Sequence, residues 1–423
     1  MKFVLACYGT RGDVEPCAAV GRELLHRGHE VHMAVAPDQI GFIESAGLSA
    51  TALGPDPRAM LDAHWAFYRT FFRNFWRIRE VRRLSREAWE PKAQAWDEMS
   101  RTLTVLAEDA DLLFTGLVFE EIAGNVAEHY DIPLASLHYF PIRPNGELLA
   151  FLPAPLCRFI MVAHEWLNWR GIKKLVNAQR CELGLPEATL PSARQITERG
   201  SLEIQAYDKV CFPELADEWA GLNGQRPIVG ALTMNLPTHT DQEVASWISA
   251  GTPPLFFVFG STVPVESTTD TLSMIASACA QLGQRALICS AGTDFSQVAN
   301  LDHVKVVSAT NYAAAFPACR AVVHHGGAGT TAAGLRSGIP QLILSTDLDQ
   351  TLWGVRVKRL KVGLGKRFST TTLRSLMADL NTILAPQYVS RAREIATQMT
   401  NPADSVAAAA DLVESFARLG SMR

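Results

Sequence analysis

The chain has 423 residues, 48% hydrophobic and 19% charged, with a formal net charge of −4. That length points to two domains and the composition to a globular protein with substantial cores, while the charge gives no reason to expect nucleic-acid binding. No apolar run reaches the ~18 residues of a spanning helix, and the opening MKFVLACYGTRGD turns charged too soon for a secretory signal. The eight cysteines form no Cys-x-x-Cys pair and several lie in apolar runs such as LICSAG. They read as reduced, buried thiols of a cytoplasmic protein, not as a zinc site.

KFVLACYG (2–9) reads as a buried strand, Val14 to Arg27 as a helix ended by Gly28, and EVHMAVA (30–36) as the next strand. Strand, helix and strand in so short a span make a βαβ unit, hence a parallel sheet. The turn GTRGDVEP (9–16) between the first two elements places Asp13 at the carboxyl end of a strand. Two readings of Asp13 stay open there: a helix cap, or a general base.

The stretch 64–89 interleaves Trp65, Phe67, Tyr68, Phe71, Phe72, Phe75, Trp76 and Trp89 with seven arginines. As a helix it gathers Tyr68, Phe72, Phe75 and Trp76 on one side and Arg69, Arg73 and Arg77 on a neighbouring stripe. It reads either as a surface helix dipping into anionic lipid or as a core helix with solvated arginines. Asp111 to Gly116 and Pro133 to Phe140 are further strands, with Glu120 to Tyr130 as the crossover helix. His138 and Tyr139 end the second of these strands and are candidates to line an acceptor pocket. Pro155 to Lys174 repeats the aromatic-basic theme more mildly.

Residues 213–245 are rich in proline and glycine without a sustained period, and read as the linker between an N-terminal domain (1–212) and a C-terminal one (246–403). LFFVFGS, ALICSAG, VKVVSA, AVVHHG and PQLILS are strands spaced for βα repeats, with Thr269 to Leu282 as a helix. The fold class is therefore α/β, two doubly wound parallel-sheet domains facing a cleft. An alanine-rich helix, 404–423, ends the chain and is able to pack on either domain.

The segment VVHHGGAGTTAAGLRSGIP (322–340) carries the most chemistry. A strand ends in Gly326-Gly327-Ala328-Gly329 and a helix begins near Thr330. Glycines admit a bulky anion close to the backbone, and free N–H groups at the helix start donate to phosphate oxygens. Thr330 and Thr331 add hydroxyls, and a histidine at the strand tip adds a donor. The alternative is a glycine turn that serves strand–helix packing alone. In the next loop, STDLDQTLWG, Asp349 and Gln350 offer acceptors and donors suited to neighbouring hydroxyls, unless Asp349 is a helix cap.

With these residues in view, the chain resembles the inverting, nucleotide-sugar-dependent glycosyltransferases of family 1, of GT-B architecture. The likeness rests on GTRGDVEP…VGRELLHRGHEVHMAVAP…AGLSA and HHGGAGTTAAGLRSGIPQLIL…DQTLWG, and is weakest between 57 and 198. It is similar to the bacterial branch acting on natural products and lipids, mycobacterial glycopeptidolipid glycosyltransferases included. The resemblance implies that His325 and Gly327, Ala328, Gly329, Thr330 and Thr331 cradle the donor diphosphate, met from the other side by Ser261. It implies that Asp349 and Gln350 contact the donor sugar, that Asn311 and Tyr312 frame the base, and that Asp13 deprotonates the acceptor. Arg11 is placed on the acceptor side, orienting the loop or pairing with Asp13 or Glu15.

The resemblance implies no metal and no cofactor beyond the TDP- or UDP-sugar, which carries a hexose or a 6-deoxyhexose such as rhamnose. The acceptor is amphipathic or lipid-linked, and the protein is peripheral at the inner face of the membrane if 64–89 touches lipid. The competing class is a catalytically idle relative that binds lipid or nucleotide. Three departures stand out. Thr293 replaces a common aromatic, Leu348 and Thr351 flank the Asp-Gln pair, and Ala333 stands where plant relatives place a ribose-binding glutamate. That last change suits a 2′-deoxyribose.

Overall fold

The computed structural model describes residues 1–56, 78–149, 152–222, 224–258, 268–290 and 302–420, with backbone alone for 78–92 and 268. The first half runs β1 (Lys2–Cys7), α1 (Arg11–His26), β2 (Glu30–Val35), α2 (Ile40–Ser45), β3 (Ser49–Ala52), α3 (Ile78–Ala107), β4 (Leu112–Thr115), α4 (Glu120–His129), β5 (Leu134–His138), α5 (Ala154–Glu182), α6 (Ser192–Glu198) and β6 (Leu202–Gln205). Helices α7 (Leu215–Glu218) and α8 (Asp241–Ser249) lead into the second half. There β7 (Leu255–Val258), α9 (Thr268–Gln281), β8 (Ala286–Cys289), β9 (Val304–Val307), α10 (Tyr312–Ala315), β10 (Ala321–His324), α11 (Ala328–Arg336), β11 (Gln341–Ser345), α12 (Leu348–Arg359) and β12 (Gly363–Arg367) precede α13 (Leu373–Ile383), α14 (Pro386–Ala396) and α15 (Pro402–Gly420).

The strands form two parallel sheets of six, ordered β3-β2-β1-β4-β5-β6 and β12-β11-β10-β7-β8-β9. The period of two along β1 explains the layering. Phe3, Leu5 and Cys7 pack on one side with α1 and α15, while Val4, Ala6 and Tyr8 pack on the other with α3, α4 and α5. Strand β7 does the same with Leu255 and Phe257 against Phe256 and Val258. Helices therefore cover both faces of each sheet. Strand order reverses between β1 and β4, and again between β7 and β10. Crevices for ligands open beyond the carboxyl ends of the strands at such reversals.

The structure departs from the sequence reading at several edges. Helix α1 starts at Arg11, three residues before Val14, because Thr10 serves as its N-cap. Helix α11 starts at Ala328, with Gly327 as its N-cap. The stretch read as linker contains α7 and the start of α8. Strands β3, β6 and β12 were not expected, and all three are outermost in their sheets. Strands β3 (SATA) and β12 (GLGKR) are partly exposed and carry no apolar run, whereas β6 (LEIQ) is buried throughout but alternates apolar and polar residues.

The last helix crosses back to the first half. Ala409, Ala410, Val413 and Ala417 of α15 join the core against α1, while Arg27 pairs with Asp411 at 2.6 Å and His29 bonds Glu414 at 2.6 Å. The chain thus passes between the halves twice, near 206–240 and near 397–402. The crossings touch at Gly230, whose φ is +90° and where a Cβ would lie 2.8 Å from the Thr400 Cβ. Asp208 ties them together, accepting from Ala231 N at 3.1 Å and Thr400 N at 2.6 Å. The aromatic-arginine stretch 64–89 lies outside the described residues up to 77, and outside the described side chains beyond it. No helix among the described residues is long and apolar enough to cross a membrane.

Candidate active site

The first reversal point holds Asp13. It is the third residue of α1, and its carboxylate reaches back to the cap: Oδ2 accepts Thr10 N–H at 2.7 Å and the Thr10 hydroxyl at 2.9 Å. This is the back-reaching half of a capping box. Gly9 makes room for it, with φ at +130° and a position where a Cβ would overlap the carboxylate. The other oxygen, Oδ1, accepts the Tyr139 hydroxyl at 2.6 Å. Tyr139 follows β5, so neighbouring strand ends bring together two residues 126 positions apart. Burial raises the Asp13 carboxyl above its ordinary value, and the three donors only partly offset this. Burial and the Asp13 charge push the Tyr139 phenol far upward, so it remains a donor. Cap and base are therefore compatible roles, since Oδ1 keeps a second lone pair.

The second reversal point holds the glycine turn. The first α11 amide bonded back along the chain is Thr331 N, to Gly327 O at 2.9 Å. The N–H groups of Ala328, Gly329 and Thr330 thus have no helical acceptor. The paired histidines divide their work. His324 is fully buried, its Nδ1 accepting Gly326 N–H at 3.1 Å and its Nε2 bonding Gln341 at 2.8 Å. His325 stands over the helix start: a Cβ on Gly327 would lie 2.6 Å from its Nε2. Burial lowers the His325 imidazole to about 4, so at neutral pH the ring is uncharged. Gly326, at φ +102°, packs this turn on α12, since a Cβ there would lie 2.9 Å from Gln350 O.

Thr331 corrects the sequence reading. It is 0% exposed, and its hydroxyl and its N–H both bond Gly327 O. It shapes the turn and offers nothing to an anion; Thr330, partly exposed, retains its hydroxyl. Ser261 and Thr293 lie outside the described residues.

The β11–α12 loop brings in the third group. Asp347, not Asp349, is the N-cap of α12. Gln350 completes that cap: its Oε1 accepts Thr346 N at 2.9 Å, Thr346 Oγ1 at 3.0 Å and Asp347 N at 3.3 Å. Its acceptor is spent on the loop, so Gln350 presents Nε2 as a donor. Asp349 is free of the cap. Burial first, then the Asp347 and Asp13 charges, raise its carboxyl to about 6. The Asp13 charge adds to the raising of Asp349, and the Asp349 charge to that of Tyr139, so the two strand-end clusters lie within electrostatic reach of each other.

Other candidates are placed elsewhere. Arg11 bonds Glu15 at 2.9 Å and lies over the Phe42 ring at 4.6 Å, directed away from Asp13. His138 is fully buried, with Nε2 at 3.2 Å from Glu120 and Nδ1 at 3.3 Å from Gln205, so no ring nitrogen is left for an acceptor. Asn311 caps α10 through Ala313 N at 3.0 Å and gives its amide N–H to Asn235. Tyr312 stacks on Phe316 with centroids 5.0 Å apart. Residues 291–301 are outside the described residues.

Two family models match the chain. One, the glycosyltransferase family 28 N-terminal domain, covers residues 3–97, and the other, the erythromycin biosynthesis protein CIII-like C-terminal domain, covers 278–417. The uncharacterized glycosyltransferase Rv1524 of Mycobacterium tuberculosis is 57% identical over 421 residues, 99% of each chain. The chain belongs to the GT-B glycosyltransferases. Solved structures share the fold at low identity. The kitacinnamycin glycosyltransferase gives a TM-score of 0.72 at 15% identity over 98% of each chain, and VinC, solved in complex with DTDP, gives 0.67 at 18% over 100% of each.

Sequence reading of this glycosyltransferase missed the group that holds Tyr139 in place. Arg143, four residues on, is buried between Glu120 at 2.7 Å and Glu203 at 3.0 Å. Arg226 adds a bond to Glu203 at 2.9 Å. Burial alone would raise the Glu120 carboxyl, but Arg143 and His138 outweigh it and hold it at about 2. This network pins the β5–α5 loop that carries Tyr139 to Asp13. The sequence offered no signal for it, because β6, which carries Glu203, was not itself read as a strand.

Proposed function

We propose that this glycosyltransferase moves a hexose or 6-deoxyhexose, rhamnose among the candidates, from a TDP- or UDP-sugar to a hydroxyl of a lipid- or peptide-linked acceptor such as a glycopeptidolipid, with inversion. The carrying observation is that Asp13 with Tyr139 and the His325–α11 turn sit at the two strand-order reversals, with Asp349 near enough to feel the Asp13 charge. The acceptor O–H gives its proton to Asp13 Oδ1 as its oxygen bonds the anomeric carbon. On the opposite side the bond from that carbon to the diphosphate breaks. Nucleophile and leaving group on opposite faces make one displacement, hence inversion. The negative charge that leaves meets the N–H groups of Ala328, Gly329 and Thr330 and the neutral His325 donor, so the proposal assigns no metal. Asp349 accepts from a sugar hydroxyl and Gln350 Nε2 donates to one. A TDP donor is favoured by Ala333, which has no acceptor for a ribose 2′-hydroxyl, and by the fold shared with DTDP-bound VinC.

Calorimetry with TDP and UDP, and NAD as control, tests the donor side. TDP is expected to bind more tightly than UDP. His325→Ala should weaken it by about tenfold, the worth of one hydrogen bond to a charged group. Tighter UDP would remove the Ala333 argument. No binding of either nucleotide would leave a catalytically idle relative as the better reading.

Asp349 should reveal itself through pH. Its folded carboxyl, raised to about 6, lies above the unfolded value of about 3.9. The folded state therefore holds the proton more tightly. Stability gained from this group is present below about 4 and lost as pH rises through 6. Asp349→Asn should accordingly raise Tm by about 2 °C at pH 7.5, with the gain vanishing toward pH 4, while donor-sugar affinity falls. In the unmodified enzyme, KM for the donor should climb as pH drops below 6. An unchanged Tm with full donor affinity would remove Asp349 from the site.

A further inference from the structure

Helix α5 has two apolar faces. Cys157, Met161, Trp169, Ile172 and Val176 form the buried one. Leu156, Phe159, Ile160, Trp166 and Leu167 point to solvent, with Phe159 69% and Leu167 70% exposed. At 100° per residue these five fall in one sector about 120° wide, opposite the buried face. They are five of the nine large hydrophobic side chains exposed among the described residues, and the other four are scattered singly. Isolated exposed leucines are ordinary, whereas a continuous stripe marks a contact surface.

Charge selects the occupant. Toward its C-terminal end the stripe continues into Arg170, Lys173 and Lys174, all exposed and none in an ion pair among the described residues. The acids of α5 are Glu165, off the stripe and bonded to Arg194 at 3.0 Å, and Glu182 at the helix end. A second copy of this face would bring no carboxylate to meet the three cations. Burying them against Phe159 or Leu167 would leave them unpaired. An anionic lipid surface satisfies both parts. Phe159, Ile160 and Leu167 enter the acyl boundary, Trp166 sits at the headgroup level, and the basic side chains extend to lipid phosphates.

We propose that α5 lies in the plane of an anionic membrane surface and docks the protein there. The stripe from Leu156 to Lys174 is about 27 Å long, enough for a shallow in-plane contact. Helix α5 follows directly on the loop bearing Tyr139, so docking sets the Asp13 side of the cleft near the bilayer. This inference stands apart from the donor reading, because it concerns a surface outside the diphosphate site.

The test is co-sedimentation of the full chain with vesicles of phosphatidylcholine alone, or with about 30 mol% phosphatidylglycerol. Binding is expected to the anionic vesicles, weakened by salt. Phe159→Ser with Leu167→Ser should reduce it by about tenfold or more. Replacing Arg170, Lys173 and Lys174 by glutamine should abolish the preference for phosphatidylglycerol. All substitutions are on exposed positions, and unchanged Tm and unchanged nucleotide binding confirm that the fold and the diphosphate site are intact. Absence of vesicle binding by the unmodified protein would overturn the proposal. So would binding indifferent to the α5 variants, which would assign the contact to another segment such as 64–89. A lipid-free dimer that the serine variants dissolve would assign the stripe to a second copy instead.

Discussion

Asp13→Asn is expected to lower kcat by about 10²–10⁴-fold, the usual worth of a general base, while the donor Kd moves by less than about twofold. Asparagine is nearly isosteric and can still accept from Thr10 or Tyr139, so the capping box and helix α1 should survive. That separation matters, because Asp13 has a structural role as well. A variant that lost activity through a frayed α1 would show a lower Tm and weaker nucleotide binding together. Tyr139→Phe is the companion measurement. It removes the 2.6 Å bond to Oδ1. A carboxylate with one donor fewer holds its proton more tightly, so the acid limb of the kcat/KM profile should move up by about one pH unit. Full turnover in Asp13→Asn would end the base assignment and leave the residue as a cap alone.

Arg143→Met should cost about 3–5 kcal/mol of stability, the range seen when one partner of a buried ion pair is removed. Two carboxylates face that guanidinium, and both are buried. The pH dependence gives the signature. In the unmodified protein the Glu120 carboxyl at about 2 lies below its unfolded value, so its contribution is present above about pH 4 and lost toward pH 2. Without Arg143 the sign reverses: Glu120 resists ionisation, and the loss of stability should grow as pH rises from 5 to 8. Chemical denaturation at several pH values measures this. A loss under about 1 kcal/mol, flat with pH, would show that the network is not what holds the loop. Because Tyr139 rides on that loop, kcat should fall even under conditions where the variant is fully folded.

The doubly wound architecture was legible because the central strands of each sheet are apolar runs, buried on both faces. The edges were not. Strand β6 alternates: Leu202 and Ile204 join the hydrophobic core, while Glu203 and Gln205, both fully buried, meet Arg143, Arg226 and His138. At the site, residue types were legible but facing was not. His324 and His325 are neighbours, yet one is sealed behind Gln341 and the other stands over a helix start. His138 and Tyr139 differ the same way, as do Thr330 and Thr331. At the end of a strand or the start of a helix, one residue is the difference between core and cleft. That choice is settled by the packing of elements far away in sequence. The Tyr139–Asp13 bond has no local signature at all, because it depends on β1 and β5 ending at the same edge of one sheet.

The contact at Gly230 has a mechanical consequence. Two chain crossings set far apart would lock the halves as two bolts lock a plate. Here both pass through one spot, with Gly230 against Thr400 and Asp208 tying both strands. The two crossings therefore act as one joint, braced by a buried contact between the halves in which Arg356 of α12 donates to the Glu147 carbonyl at 2.9 Å. Removing α15 would do more than loosen that joint, because the helix is part of the first half's own core. It would strip α1 of its cover and unmake the half that carries Asp13.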